Sequence, residues 1–338
     1  MLDFLLENQI DWRIAYLEKD ATRRVDLWEE IESLRSTTPF VDQIETTNAC
    51  PFTCKLCPRG SGLMTRSIHH MDFELFKNLS LQIESHFQVR IGTMYDEKNF
   101  EEKYLRESIE MFGLRLHHFG SPLSDPDFIR RCVWLKNNCS FPVHASISAE
   151  QLSQDSAYRL VESEIDRILI ALDGIDEETY STARGKYATY EKACNGILRL
   201  LDAKKRLKTE TLIDVQLIDF GQNRSDIEYF QKKWSDVGAT VLIKPVFPYP
   251  DIKFKGRISE IWSDPCIWPF LGMVIAVDGL VLSCCSDYNS ENVIGDSTKQ
   301  SLQEIWDGDT FRKFREKFFF NRMNTNSLCK RCGFYEYC

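Results

Sequence analysis

The chain has 338 residues, 12 of them cysteine, and it is acidic, with 42 Lys and Arg against 51 Asp and Glu and a formal net charge of −9. This acidity argues against a broad basic surface for nucleic acid. No apolar run is long enough to cross a membrane, and the N-terminus lacks the basic segment of a signal peptide. We therefore expect a cytoplasmic protein of about two domains, whose cysteines serve as metal ligands or redox groups rather than as disulfides.

The apolar pattern predicts a helical lead-in over residues 1–40 and then a regular alternation of strands and helices. The predicted strands cover residues 41–47, 114–119, 143–148, 167–172, 212–218 and 240–246. The predicted helices between them cover residues 73–83, 125–136, 149–161, 190–208 and 225–237. Parallel strands need such crossover helices, so the pattern predicts an α/β fold, a partial (β/α)6 barrel over residues 41–247.

Two stretches depart from this alternation. Residues 87–112 are longer than an ordinary connection, and form either an inserted element that shapes a substrate pocket or a plain excursion of the chain. Pro248 and Pro250 predict a linker after the last barrel strand. The elements predicted beyond this linker are a β-hairpin and two helices, over residues 272–282, 301–306 and 310–318. We therefore expect a C-terminal domain over residues 248–338.

A group of three cysteines, Cys50, Cys54 and Cys57, directly follows the first predicted strand. The C-x3-C-x2-C spacing gathers three thiolates at the carboxyl end of a strand, where β/α folds concentrate their chemistry. Three thiolates suit an iron–sulfur cluster, whereas zinc would need a fourth protein ligand nearby. A [4Fe–4S] cluster on three cysteines leaves one iron open to a small molecule. The isolated cysteines Cys132, Cys139 and Cys194 are expected to be packing residues.

The three-cysteine loop resembles that of the radical S-adenosylmethionine (radical SAM) superfamily, and two further motifs extend the resemblance. Phe119-Gly120-Ser121-Pro122-Leu123 is similar to the Gly-Gly-Glu-Pro motif that ends the family's second strand. The segment 171–174, Ala-Leu-Asp-Gly, is similar to the family's Ser-Leu-Asp-Gly segment and is followed by Arg184-Gly185. The chain departs from the family at Leu56, where an aromatic residue is usual, and at Ser121, where glutamate is usual.

The resemblance implies that a [4Fe–4S] cluster on the three cysteines binds SAM through its open iron. It implies that Leu56, Gly120, Ser121 and Pro122 contact SAM. One electron from the reduced cluster then splits SAM into methionine and a 5′-deoxyadenosyl radical, which abstracts a hydrogen atom from the substrate. Arg184 is expected to pair bidentately with the SAM carboxylate, the alternative being a surface arginine at a helix end. A flavodoxin- or ferredoxin-type electron donor is also implied.

A second group of cysteines lies in the last quarter of the chain, and its spacing resembles the SPASM or shorter twitch extension of radical SAM proteins. The cysteines of this group are Cys266, Cys284, Cys285, Cys329, Cys332 and Cys338. The resemblance implies an auxiliary [4Fe–4S] cluster on Cys266, Cys284, Cys329 and Cys332, with zinc on the same residues as the alternative. Cys285 is expected to be a free thiol, and Cys338 an alternative ligand, a thiol near the cluster or a terminal residue.

Three functions are weighed on these grounds. The first is a radical SAM oxidoreductase that dehydrogenates a sugar or an aminocyclitol-type alcohol, with the auxiliary cluster as electron acceptor. The second is a radical SAM enzyme that epimerises or crosslinks a peptide, in which Cys285 or Cys338 would return a hydrogen atom. The third is a non-catalytic zinc or iron–sulfur protein. His117 and His118 lie on the strand that leads to Gly120, so they either face the barrel interior or pack in the core.

Overall fold

The protein is described by a computed structural model that covers residues 21–94, 113–185, 188–222, 224–252, 266, 268–325 and 327–332. The sequence predictions for residues 1–20, for the part of the inserted stretch from residue 95 to 112, and for Cys338 lie outside the described residues. None of the helices in the described ranges has the length and apolar character needed to span a membrane.

One nine-stranded sheet organises the described chain, in the order β6-β5-β4-β3-β2-β1-β7-β8-β9. The strands are β1 Val41–Ile44, β2 Leu114–Arg115, β3 Val143–Ile147, β4 Arg167–Ala171, β5 Leu212–Asp219, β6 Thr240–Pro245, β7 Met273–Ile275, β8 Leu280–Leu282 and β9 Val293–Asp296. The helices are α1 Ala21–Leu34, α2 Phe73–Met94, α3 Phe128–Asn138, α4 Gln154–Glu162, α5 Glu177–Arg184, α6 Tyr190–Leu207, α7 Arg224–Ser235, α8 Trp268–Leu271, α9 Leu302–Asp307, α10 Asp309–Thr325 and α11 Ser327–Lys330.

Strands β1 to β6 are parallel neighbours in chain order, as expected for a partial barrel. Their carboxyl ends therefore lie at one edge of the sheet, where the loops that follow them meet. Strand β7 pairs in parallel with β1, and β8 pairs antiparallel with both β7 and β9. The C-terminal strands thus extend the barrel sheet directly beside β1, the strand that precedes the first cysteine group.

The main apolar core lies between the sheet and the helices packed on its outer face. Strand β4 contributes Ile168 and Ile170, and helix α6 contributes Ile197 and Leu200, each with no exposed surface. Burial of this kind stabilises the fold by roughly 1.5–3 kcal/mol per large aliphatic side chain. The helices begin at capping boxes where the sequence provides them, as at Ser153 before α4. This scaffold fixes the strand ends that carry the candidate site.

The predicted α/β fold with a partial parallel barrel is confirmed, and the differences concern element boundaries. The second strand ends at Arg115 rather than at residue 119, because the residues after it leave the sheet to make contacts inside the barrel. The helix predicted over residues 149–161 divides into a 3-10 turn, Ala149–Gln151, and helix α4. Helix α5 and strand β9 were not predicted.

Candidate active site

The three cysteines of the first group line one cavity of about 180 Å³ at the carboxyl ends of the barrel strands. The predicted SAM-site residues on the same cavity wall are Leu56, Gly120, Ser121 and Arg184. Pro122 does not line the cavity, because it is buried at the start of the 3-10 helix that follows Ser121. The structure therefore brings these predicted residues together from three separate segments of the sequence, as one binding site requires.

The three-cysteine loop is compact and held by its own backbone. The Cys57 amide donates to the Cys54 carbonyl at 3.3 Å, and the Ser61 amide donates to the Cys57 carbonyl at 2.8 Å. Burial raises the pKa of each of the three thiols, and the Arg184 charge opposes that rise at all three. Arg184 is thus a cation shared by the whole cysteine group.

The guanidinium of Arg184 is held by several contacts, but one of its hydrogen-bond donors has no partner. It donates to the Ser148 hydroxyl, lies 3.5 Å from the Asp173 carboxylate, and stacks over Phe52 with its carbon 5.3 Å from the ring centroid. Its Nε is buried and has no hydrogen-bond partner. Burial would lower the pKa of Arg184, but the charges of Cys54 and Asp173 raise it, so the group stays cationic. An anionic ligand beside the cysteines would satisfy this orphaned donor.

Asp173 is a site residue that the sequence analysis quoted only as part of a motif. Its carboxylate accepts hydrogen bonds from the Gln216 amide and from the main-chain N–H of Ile218, both at 3.2 Å. Burial raises the pKa of Asp173, and the nearby Arg184 charge opposes this. The carboxylate therefore orients Arg184 towards the cysteines. The local signal was its position directly before Gly174, at the end of a strand.

Gly120 and Ser121 bring the end of the second strand segment against the end of β1. A Cβ on Gly120 would lie 2.0 Å from the Thr47 carbonyl oxygen, so only glycine permits this approach. The Ser121 hydroxyl donates to the side-chain carbonyl of Gln151, which leaves its lone pairs available on the cavity side. Ser121 can therefore accept a hydrogen bond from a ligand. Gln151, which sets this orientation, was missed by the sequence analysis.

His117 and His118 answer the question left open by the sequence. The Ser146 amide donates to His117 Nδ1 at 3.0 Å, so Nε2 carries the proton. Burial lowers the pKa of His117 to about 3, which keeps the ring neutral. No described residue accepts a hydrogen bond from Nε2, and this atom is not buried from solvent. Because His117 lines the cavity, we infer that this N–H is directed into it. His118 also lines this cavity but donates from Nε2 to the Cys285 carbonyl.

The four cysteines expected to hold an auxiliary cluster line a second, smaller cavity of about 30 Å³. Its other lining residues are Pro250, Trp268, Pro269, Ser283, Ser286, Phe314, Phe318 and Leu328. The Ser286 amide donates to Cys284 Sγ at 3.3 Å, a contact that favours a thiolate there. Cys285 is absent from the lining of both cavities and packs against the β7–β8 face that contains Val274 and Leu282.

The all-thiolate donor sets of both sites fit iron–sulfur clusters. All described cysteines are free thiols, and the described residues on the wall of the second cavity include no histidine and no carboxylate. Within the described part of the chain, no three His, Cys, Asp or Glu side chains are grouped so that they could hold a metal ion. Four thiolates on zinc would each lie about 2.3 Å from one point. A four-iron cluster is larger and holds its thiolates further apart than a single zinc ion does.

Comparison with known proteins agrees with this geometry. Residues 266–333 match the family model of the SPASM domain, an iron–sulfur cluster-binding domain. The chain is 26% identical over 139 residues to the S-adenosyl-L-methionine-dependent 2-deoxy-scyllo-inosamine dehydrogenase of Niallia circulans, a match covering 38% of this chain and 56% of that protein. The chain thus matches little more than half the length of this curated relative.

Two solved structures share the fold at low sequence identity. BtrN in complex with AdoMet and 2-DOIA matches with a TM-score of 0.53 and 18% identity, over 87% of this chain and 94% of that chain. Streptococcus suis SuiB bound to precursor peptide SuiA matches with a TM-score of 0.54 and 12% identity, over 94% of this chain and 74% of that chain. The resemblance expected from the motifs is confirmed: the chain has the radical SAM fold and a C-terminal SPASM domain.

Proposed function

We propose that the protein is a radical SAM oxidoreductase that dehydrogenates an alcohol of a sugar or aminocyclitol-type substrate. One observation supports this most strongly: three cysteines and Arg184 surround one cavity, while four cysteines surround a second cavity. When bound, the three-cysteine cluster and SAM supply the 5′-deoxyadenosyl radical that removes a hydrogen atom from the substrate. The match to an aminocyclitol dehydrogenase supports the substrate class.

In this proposal the cavity residues divide the recognition of SAM between them. Cys50, Cys54 and Cys57 hold the cluster and leave one position for the SAM amino and carboxylate groups. The Ser121 hydroxyl accepts from the SAM ammonium, because its own proton is engaged by Gln151. Arg184, with its orphaned Nε, donates to the SAM carboxylate. Gly120 shapes the wall at this point, and Leu56 supplies an apolar contact where an aromatic ring is more usual.

His117 orients the substrate in the same cavity. It lies three residues before Gly120 in the sequence, and both residues line the cavity. Its neutral ring presents an N–H to the cavity while its other nitrogen is occupied by the Ser146 amide. His117 therefore binds an acceptor oxygen of the substrate and does not serve as its base. Loss of one hydrogen atom, one electron and one proton then converts the alcohol to a ketone.

The C-terminal residues receive the electron in this proposal. Cys266, Cys284, Cys329 and Cys332 hold the auxiliary cluster, which accepts the electron that the substrate gives up. We assign SAM chemistry to residues 41–247 and electron acceptance to residues 248–338. A flavodoxin- or ferredoxin-type protein supplies the electron for SAM cleavage in a reducing cytoplasm, an environment consistent with the free thiols of the described cysteines.

Peptide modification is the second candidate function. It is supported by the fold that the chain shares with SuiB, whose structure holds a bound precursor peptide. Epimerisation would require a thiol that reaches the substrate radical and returns a hydrogen atom. Cys285 is absent from the cavity wall and packs against the β7–β8 face, while Cys338 lies outside the described residues. The arrangement therefore favours dehydrogenation over epimerisation.

Anaerobic reconstitution tests the proposal directly. We expect roughly eight irons per chain, as two [4Fe–4S] clusters require, and dithionite-dependent release of 5′-deoxyadenosine from SAM. A panel of aminocyclitols, sugars and short peptides then identifies the substrate class by mass spectrometry. A polyol product lighter by two hydrogens supports dehydrogenation. A peptide of unchanged mass that gains solvent deuterium would instead establish epimerisation, and zinc without iron would exclude both.

A further inference from the structure

Two residues that line the four-cysteine cavity carry buried hydrogen-bond donors without a protein acceptor. Trp268 and Ser283 both line this cavity. The indole Nε1 of Trp268 and the hydroxyl of Ser283 are sealed from solvent, and neither has a hydrogen-bond partner. Ser283 as a residue is only 1% exposed. Leaving one such donor unsatisfied costs roughly 1–3 kcal/mol, so two at one cavity call for an explanation.

The surroundings leave sulfur as the acceptor. Apart from the cysteines, the cavity wall is formed mainly by hydrocarbon, from Phe314, Phe318 and Leu328 among others. Among the residues that the structure describes on this wall, none has a carboxylate or an imidazole that could accept a hydrogen bond. The neighbouring Ser286 amide already shows this pattern, since it donates to Cys284 Sγ at 3.3 Å. Trp268 and Ser283 line the same cavity as the cysteines. Trp268 lies two residues after Cys266, and Ser283 directly precedes Cys284.

We propose that Trp268 and Ser283 donate hydrogen bonds to the sulfur atoms of the auxiliary cluster and thereby raise its reduction potential. A hydrogen bond stabilises the more negatively charged, reduced state of the cluster more than the oxidised state, and such bonds are among the main determinants of cluster potential. This role rests on the proposed function, in which the auxiliary cluster takes an electron from the substrate. A higher potential makes the cluster a better acceptor in that step.

The test measures the potential of the auxiliary cluster without substrate or SAM. Full-length protein carrying alanine at Cys50, Cys54 and Cys57 isolates this cluster, and Trp268→Phe, Ser283→Ala and the double variant are made in that background. Iron and sulfide analysis establishes cluster content, and a redox titration followed by electron paramagnetic resonance gives the potential. We expect each substitution to weaken electron uptake about tenfold, which corresponds to about 59 mV for one electron.

Matched controls separate this effect from general perturbation. Ser283→Thr keeps the hydroxyl and should retain the parent potential. Trp306→Phe removes an indole that donates to the Ser36 carbonyl at 2.8 Å outside the cavity, and should also leave the potential unchanged. Parent potentials in fully loaded Trp268→Phe and Ser283→Ala would overturn the proposal.

If a variant does not incorporate the auxiliary cluster, a measurement that leaves Trp268 and Ser283 unchanged tests the proposal instead. In protein with 15N-labelled indole, electron–nuclear double resonance on the reduced auxiliary cluster should show a 15N coupling from Trp268. Exchange into D2O should add a deuterium coupling from the Ser283 hydroxyl. Absence of both couplings would overturn the proposal. The result does not depend on substrate turnover. The hydrogen bonds can therefore be established even if the proposed oxidation reaction is wrong, and they can be refuted even if that reaction is correct.

Discussion

His118 donates a 2.7 Å hydrogen bond from Nε2 to the main-chain carbonyl of Cys285, and this bond joins the two cysteine sites. His118 lines the first cavity, and Cys285 directly follows Cys284, which lines the second cavity. Glu45 reinforces the junction, because its buried carboxylate accepts from the main-chain N–H groups of Phe119 and Val277 at 3.3 and 3.1 Å. The two sites are therefore held in a fixed relation, as electron transfer between substrate and auxiliary cluster requires.

Cys54→Ala should abolish release of 5′-deoxyadenosine from SAM, because the cluster loses one of its three protein ligands. Iron content should fall from roughly eight to roughly four per chain, since the second site is untouched. Cys132→Ala is the matched control, because that thiol is fully buried in the apolar core away from both cavities. Dithionite-dependent SAM cleavage in a Cys54→Ala protein with full iron content would refute the assignment.

Cys329→Ala should separate SAM cleavage from substrate oxidation. The first cavity keeps all its residues, so uncoupled release of 5′-deoxyadenosine is expected to continue. Oxidation of the substrate should be lost, because the electron acceptor is missing. Product and 5′-deoxyadenosine are measured in the same reaction by mass spectrometry. Wild-type product formation with this variant would show that the auxiliary site has no role in the electron transfer.

The first cysteine group could be proposed as a ligand group from the sequence because its signal is local. Cys50, Cys54 and Cys57 lie within eight residues, so their convergence needs no knowledge of tertiary structure. Gln151 and Ser148, by contrast, contact Ser121 and Arg184 only because parallel strands bring separate loops to one sheet edge. No spacing rule connects such residues, so the sequence analysis did not find them.

The same distinction explains the errors in the fold. The alternation of apolar segments predicted the six parallel strands, because each strand is joined to the next by a connection that contains a helix. Strand β9 was missed because only Val293 and Ile294 favour a strand, whereas Gly295 and Asp296 disfavour one, and the segment forms a strand by pairing with β8. Strand β2 was predicted too long because the sequence pattern includes His117 and His118 in the strand. In the structure both side chains make hydrogen bonds inside the barrel, and the strand has already ended.

Arg184→Met should weaken SAM binding roughly 10- to 100-fold, the range expected for a lost hydrogen-bonded charge pair. The SAM affinity of Arg184→Lys should lie between those of wild type and Arg184→Met, because lysine keeps the charge but lacks the planar guanidinium. Affinity is measured by equilibrium dialysis on reconstituted protein. Arg159→Met is the control, since that exposed arginine pairs only with Asp155 at 3.8 Å on the surface of α4. Equal SAM affinity in wild type and Arg184→Met would contradict the assignment.

His117→Phe should raise the KM for the substrate by about tenfold, because a neutral hydrogen bond is worth up to about 1.5 kcal/mol. SAM cleavage without substrate should be unchanged, since His117 does not bind SAM in the proposal. His117→Gln keeps an N–H donor and should recover part of the loss. The exposed His69 provides the control variant His69→Phe. An unchanged KM in His117→Phe would show that the ring does not bind the substrate.

Acid should destabilise the cluster-free chain through the same buried imidazole. Burial, and more weakly the charges of Arg115 and Lys244, lower the pKa of His117 to about 3 in the folded state, whereas the unfolded value is about 6.5. Between these values the unfolded chain binds a proton that the folded chain does not, so the free energy of unfolding falls as the pH falls. Going from about pH 7.5 to about pH 5.5, wild type should lose about 1.4 kcal/mol more than His117→Phe. Urea denaturation at both pH values measures the difference, with His69→Phe expected to follow wild type. Parallel pH dependence in wild type and His117→Phe would mean that His117 is protonated in the folded chain, and its role as a neutral donor would then be wrong.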